Sequence, residues 1–173
     1  ETYRKITSTD TFEQNIGGME NVIESEAELL INHVVTEENI QEMSENIEFL
    51  LRKGIKDLKI TMVEPIQDID TPDIEEFSDK LNRNIEKFGE RFRTLIYEGI
   101  PACLSDHPER FSEWDVTGEK YMSEPYERKF YPVDTKYRKI EKCQECKKDC
   151  KGFYQSYIER FPEKTRKIIR KRN

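Results

Sequence analysis

Three consecutive stretches decide the fold of this 173-residue chain: Leu29-Leu30-Ile31-Asn32-His33-Val34-Val35, then Thr36 through Gly54, then Ile55-Lys56-Asp57-Leu58-Lys59-Ile60-Thr61-Met62-Val63. The first and third are short, rich in aliphatic and β-branched side chains, and bounded by polar residues, which is the pattern of buried strands. Between them Ile40, Met43, Ile47, Leu50 and Leu51 recur at helical spacing. Thr36 stands at the expected N-cap, and Glu37 and Glu38 occupy the first turn, where the helix dipole favours negative charge. Gly54 is placed to end the helix at its C′ position. Two strands joined by a crossover helix pair in parallel, so the chain is predicted to be α/β, with a partial parallel (β/α) barrel segment.

Upstream, Asp10 reads as the N-cap of an earlier helix with Glu13 three residues on, and Phe12, Ile16, Met19, Val22 and Ile23 form its apolar face. Downstream, Pro65 to Asp70 reads as a loop, with Thr71 as N-cap and Pro72 as first residue of a long helix. Its stripe of Ile74, Phe77, Leu81, Ile85, Phe88, Phe92 and Leu95 continues to Gly99 and reads as core packing. Ile100 to Leu104 reads as a further short strand carrying Cys103. Ser105 to Lys142 is aromatic, charged and turn-rich, with short strands or hairpins at most. Phe153, Tyr154, Tyr157, Ile158 and Phe161 suggest a brief amphipathic helix stopped at Pro162, followed by a basic tail. The expected organisation is therefore a barrel segment over 1–99, an irregular cysteine-rich C-terminal extension over 100–163, and the tail over 164–173.

Charged residues make up 38% of the chain against 35% hydrophobic, which implies a thin or partly open core. A net charge of −7 argues against a general nucleic-acid binder. The sequence holds neither a membrane-length apolar run nor a signal-peptide pattern, so a cytoplasmic protein without disulfides is expected. Glu1 opens the chain without a methionine, which reads as a fragment or a processed product.

The chemistry concentrates in sulfur. Cys143, Cys146 and Cys150 form a C-x2-C-x3-C run followed by Gly152, and Cys103 lies upstream in Gly99-Ile100-Pro101-Ala102-Cys103. Thiolates are the soft ligands of iron–sulfur clusters and structural zinc, and four sulfurs close either kind of site. A C-x2-C turn faces two thiolates toward one centre, a third cysteine wraps a corner, and Gly152 permits a tight exit. Structural zinc is the alternative, with His107 as a candidate mixed ligand. His33 reads as a core or strand-end histidine with one satisfied hydrogen bond. The Asp68, Asp70 and Asp73 loop reads as helix capping rather than a cation site.

The phrase Leu30-Ile31-Asn32-His33-Val34-Val35-Thr36-Glu37-Glu38-Asn39-Ile40, with Gly54-Ile55-Lys56-Asp57-Leu58 after its helix, resembles the second half of a radical SAM barrel. The cysteine run and the Gly99 to Cys103 phrase are similar to the SPASM or twitch extensions of that family. The resemblance implies an auxiliary [4Fe–4S] cluster held by Cys103, Cys143, Cys146 and Cys150. It also places Asn32 at the S-adenosylmethionine or substrate pocket, and implies a peptide or protein substrate. The C-x3-C-x2-C loop that defines the family's SAM-cleaving cluster is absent, as is the glycine-rich second-strand motif. The chain alone is thus expected to be inactive, and S-adenosylmethionine to bind only with a missing N-terminal barrel half, in cis or in trans. The alternative is a zinc-stabilised binding or scaffold module whose basic tail meets an acidic partner.

Overall fold

Strands β1 (Leu30–Val35), β2 (Asp57–Met62) and β3 (Thr94–Glu98) pair in parallel in the order β1-β2-β3. The computed structural model describes residues 1–25, 27–65, 70–111, 137–144, 150 and 152–171. Its register aligns Ile31 with Leu58 and Leu95, and His33 with Ile60 and Tyr97. The alternate rows, Asn32 with Lys59 and Ile96, and Val34 with Thr61 and Glu98, point the other way because side chains alternate along a strand. Helices α3 (Met43–Arg52) and α4 (Ile74–Phe88) make the two crossovers. Their buried residues Met43, Ile47, Ile74, Phe77, Leu81, Ile85 and Phe88 share one core with Leu58, Ile60, Leu95 and Tyr97.

Two helices precede the sheet, α1 (Thr2–Thr7) and α2 (Phe12–Glu24). The first has no counterpart in the sequence reading; Thr2 ties it to Glu42 through a 2.6 Å hydrogen bond. The second lies beside α3, with the rings of Phe12 and Phe49 6.4 Å apart and Glu20 paired to Lys53. Thr11, not Asp10, precedes its first residue, and it makes no side-chain capping bond.

Several sequence expectations shift. Among the described residues β1 is an edge strand rather than a buried one, with β2 as its one neighbour, and Leu30 and Val34 remain 45% and 41% exposed. Thr36 does not cap α3 with its side chain. Its carbonyl accepts from the Asn39 and Ile40 amides (3.3 and 3.0 Å) while Asn39 Oδ1 accepts from the Thr36 amide (2.9 Å), and a 3-10 turn at Ile40–Glu42 intervenes. Gly54 does close α3, at φ 86°. Its amide bonds to Leu51 O (3.0 Å) and that of Ile55 to Leu50 O (3.1 Å), the paired Schellman closure.

The long helix expected from Thr71 to Gly99 is two elements. α4 starts at Ile74 under an Asp73 cap that accepts from the Glu75 and Glu76 amides (2.9 and 3.2 Å). It ends at Phe88, and a 3-10 turn at Gly89–Arg91 leads into β3. Leu95 lies seven residues past Phe88, so it continues a helical stripe in the sequence while in space it fills a strand position beside Leu58.

Residues 100–104 are likewise not a strand. Pro101 lacks an amide donor, and the chain makes a 3-10 turn at Ala102–Leu104, held by Ser78 donating to the Leu104 carbonyl. Gly99 permits the entry at φ 95°, where a Cβ would sit 2.7 Å from the Met62 carbonyl oxygen.

The C-terminal part packs onto this unit. β4 (Tyr137–Arg138) pairs antiparallel with β5 (Phe153–Tyr154), and the Tyr137 and Tyr154 rings stack at 4.8 Å. α5 (Gln155–Arg160) and α6 (Pro162–Lys171) follow. Pro162 opens α6 instead of ending structure, as suits a first helical residue with no amide to satisfy. The expected basic tail is therefore largely helix, with Thr165 and Ile168 buried. Tyr157 accepts from the Ile74 amide (3.3 Å) and Lys164 bonds Asp73 (2.9 Å), so α5 and α6 sit against the start of α4. Most of the expected hairpin region, 112–136, lies outside the described residues, as do 66–69 of the loop before α4.

Two glycine substitutions should act with opposite sign. Gly99→Ala forces a side chain into a positive-φ position against Met62 and should lower stability by about 1–3 kcal/mol. Gly17→Ala, in α2 with nothing within 4 Å of the added methyl, should raise it by about 1 kcal/mol. Urea midpoints check both; equal midpoints for the two variants would contradict the assigned geometry.

Candidate metal centre

Tyr97 lies in the core that Cys150 joins and Cys103 packs against. Its side chain is fully buried on the helix-covered face at the C-terminal end of β3, edge-on to Phe111 at 5.6 Å between centroids. Both Cys103 and Cys150 lie within electrostatic reach of its hydroxyl. Cys150 is buried in the core, and Cys103, on the turn after Pro101, is half-buried against it. Burial pushes the Tyr97 hydroxyl up to about 12, opposed by a side-chain hydrogen bond with Ser105 and reinforced by the charge of Glu109, Cys150 and Cys103.

Cys143 is half-buried on a 3-10 turn at Glu141–Gln144, its amide bonded to the Ile140 carbonyl at 2.8 Å. Cys146 lies outside the described residues. Among the described residues no three His, Cys, Asp or Glu side chains form a group that could hold a metal ion. Gly152, at φ 95°, would drive a Cβ into the Arg138 carbonyl, and it leads into β5 rather than directly into the expected helix.

Among the described residues the buried His107 Nε2 has no hydrogen-bond partner. Ser105 Oγ is committed to Asn82 Oδ1 (3.2 Å) and to the His107 amide (3.0 Å). His107 Nδ1 lies 3.6 Å from Glu109. Buried groups left this way are uncommon in folded proteins and often mark a partner the protein atoms do not supply.

Asn32 lies elsewhere, on the uncovered sheet face, where Thr61 donates to its Oδ1 at 2.7 Å. Beside it Lys59 pairs with the buried Glu98, which also accepts from the Tyr137 hydroxyl at 3.0 Å. Tyr97 and Glu98 are adjacent, so strand alternation sends them to opposite faces. The sulfur candidates and Asn32 are not brought together at Tyr97. Of the acidic loop, Asp73 caps α4 and pairs with Lys164, Asp70 pairs with Arg160 at 3.6 Å, and Asp68 lies outside the described residues. Those contacts are capping and ion pairing, in line with the sequence expectation.

Tyr97, Lys59, Glu98 and Tyr137 were not legible as site residues. The Thr94-Leu95-Ile96-Tyr97-Glu98 alternation was the available signal, and the helical reading of the stripe obscured it. His33 is half-buried on the covered face, and among the described residues its Nε2 has no partner. Comparison with protein-family models, curated proteins and solved structures finds no match to this chain.

Burial depresses the His33 pKa from 6.5 to about 4. Below pH 6.5 the unfolded chain takes up a proton that the folded chain refuses, so stability falls as pH drops toward about 4. His33→Leu should remove this component. The urea midpoints of wild type and variant should keep a constant offset above pH 7 and converge or cross as the pH falls to 5. An offset unchanged between pH 7 and pH 5 would contradict the assignment.

Proposed function

We propose that this chain is the C-terminal, auxiliary-cluster part of a radical SAM enzyme, with Cys103, Cys143, Cys146 and Cys150 holding a [4Fe–4S] cluster. The observation that carries the reading is that Cys150 is buried in the core while Cys103, from a separate segment, packs half-buried against the same core. Support also comes from the sheet. The α3 and α4 crossovers cover one face, and the other carries Asn32, Thr61, Lys59 and Glu98, as an arc of a (β/α) barrel would present its interior.

Bound there, the cluster supplies one-electron transfer or an open iron position for substrate. The chain's own residues bind and shield. The cysteines donate thiolate sulfur, and Tyr97 and Phe111 wall the site with aromatic surface that excludes water. On the face away from the helices, the exposed Asn32 offers hydrogen bonds that orient a peptide or protein substrate, beside the buried Lys59–Glu98 pair. S-adenosylmethionine requires the missing N-terminal barrel half, in cis or in trans. Among the described residues no helix is long and apolar enough to cross a membrane.

One observation favours a second reading. The partnerless, buried His107 Nε2 is a nitrogen donor near the Cys103 segment, as a mixed Cys/His zinc site in a binding or scaffold module would need.

Anaerobic reconstitution with iron and sulfide separates these. The cluster reading expects brown protein with broad absorbance near roughly 400 nm that bleaches with dithionite; the zinc reading expects colourless, redox-silent protein with bound zinc. Cys146→Ala should lose the iron and loosen the segment after Leu104, whereas Cys103→Ala should leave a three-cysteine site. Colourless, iron-free wild type, or full iron retention in Cys146→Ala, would overturn the assignment.

A further inference from the structure

Between α3 and α4, at the solvent surface, lies a groove of about 310 Å³. Lys80, Arg83 and Lys87 of α4 line it, and among the described residues no carboxylate does. The whole chain carries −7, so this concentration of positive charge runs against its average. Helical spacing puts the three on one face, spread over about 10 Å of axis, where like charges repel. Neighbouring acids do not neutralise them. Among the described residues Arg83 makes no hydrogen bond or ion pair, Lys87 stands over the Phe88 ring at 4.7 Å, and Lys80 donates to the neutral Gln41 Oε1 at 2.8 Å. Glu76, one turn before Lys80, accepts from Gln41 Nε2 instead (2.8 Å). The floor is already ordered. Buried Asn84 accepts from Ser44 Oγ at 2.7 Å and donates to the Lys80 carbonyl at 2.8 Å, which ties α3 to α4 beneath the cations. Ile40 and Met43 add buried apolar surface there.

We propose that this groove binds a small ligand bearing two or more phosphate groups. Its volume is that of a small-molecule cleft rather than of a protein–protein interface. A guanidinium forks two phosphate oxygens, and ammonium groups act on phosphate as compact point charges. A single phosphate reaches one or two of the cations. Engaging all three across about 10 Å takes a ligand with at least two anionic groups. The exposed Ser44 and Gln41 side chains supply hydrogen bonds at the rim. The groove shares no residue with the cysteine run or with the Asn32 face, so it stands whether or not iron is bound.

Titration calorimetry of the whole chain with inorganic tripolyphosphate and, separately, with ATP tests this. Wild type should bind saturably at one site, and the affinity should fall as salt rises. Arg83→Gln or Lys87→Gln each removes one charge-assisted hydrogen bond and should weaken binding by about tenfold. Both side chains are exposed, so both variants should keep the wild-type urea midpoint without ligand, which separates lost affinity from lost fold. Arg166→Gln removes an exposed cation of α6 outside the groove and should leave the affinity unchanged. Tighter binding of ATP would place its base against Ile40 and Met43, and equal affinities would assign the site to phosphate alone; either result supports the proposal. No saturable binding of either compound overturns it. Equal loss of affinity in Arg166→Gln and Arg83→Gln overturns it too, because anions would then be drawn to basic surface in general.

Discussion

Strand β2 has both edges occupied, by β1 on one side and β3 on the other, and all three run in the same direction. Parallel neighbours cannot be joined by a tight hairpin, so the chain must leave the end of each strand, cross over through a helix and return. That requirement places α3 and α4 against one face. It fixes the row of His33, Ile60 and Tyr97 toward the helices and the row of Asn32, Lys59 and Ile96 away from them. Shifting the register by one residue would exchange these rows and expose Leu58 and Ile60, which are now fully buried. The positions of Tyr97 on one side and Glu98 on the other follow from this pairing, and the sulfur corner and polar face inherit them.

The C-terminal helices reach the same unit through polar contacts that a hydrophobic pattern does not reveal. Tyr157 accepts from the Ile74 amide, one of the amides at the start of α4 that has no helical carbonyl to bond. Asp73 serves two more, and its pairing with Lys164 ties α6 to the same helix start. Phe153, Tyr154, Tyr157 and Ile168 join the single core that contains the sheet. This docking sets Cys150 within the core, two residues before the Gly152 turn that passes the Arg138 carbonyl. The cysteine run is therefore anchored to the sheet on its C-terminal side by ordinary packing.

How much of this was legible depends on the range of the interactions involved. The strand–helix–strand unit and the Gly54 stop were readable because alternation, helical spacing and a left-handed cap are local signals. The third strand was not: Leu95 extends the stripe of α4 in phase, and only its pairing with Leu58 makes it a strand residue. Pro162 was misread for a related reason, since a proline ends one helix or begins the next, and the burial of Thr165 and Ile168 decides between them. Of the site, the cysteine spacing was visible in the sequence, and the structure adds that Cys103 and Cys150 both belong to the one core region. The unpaired His107 nitrogen was hidden, because lacking a partner among the described residues is a property of three-dimensional surroundings that no spacing rule encodes.

The account stands on sulfur from two separated stretches of chain sharing one inorganic centre. An iron-edge anomalous map from crystals of the anaerobically reconstituted protein tests that most directly. The account predicts one compact iron peak within bonding distance of Sγ of Cys103, Cys143, Cys146 and Cys150. An iron peak ligated without Cys103, or density showing Cys103 remote from the C-x2-C-x3-C run, would contradict it.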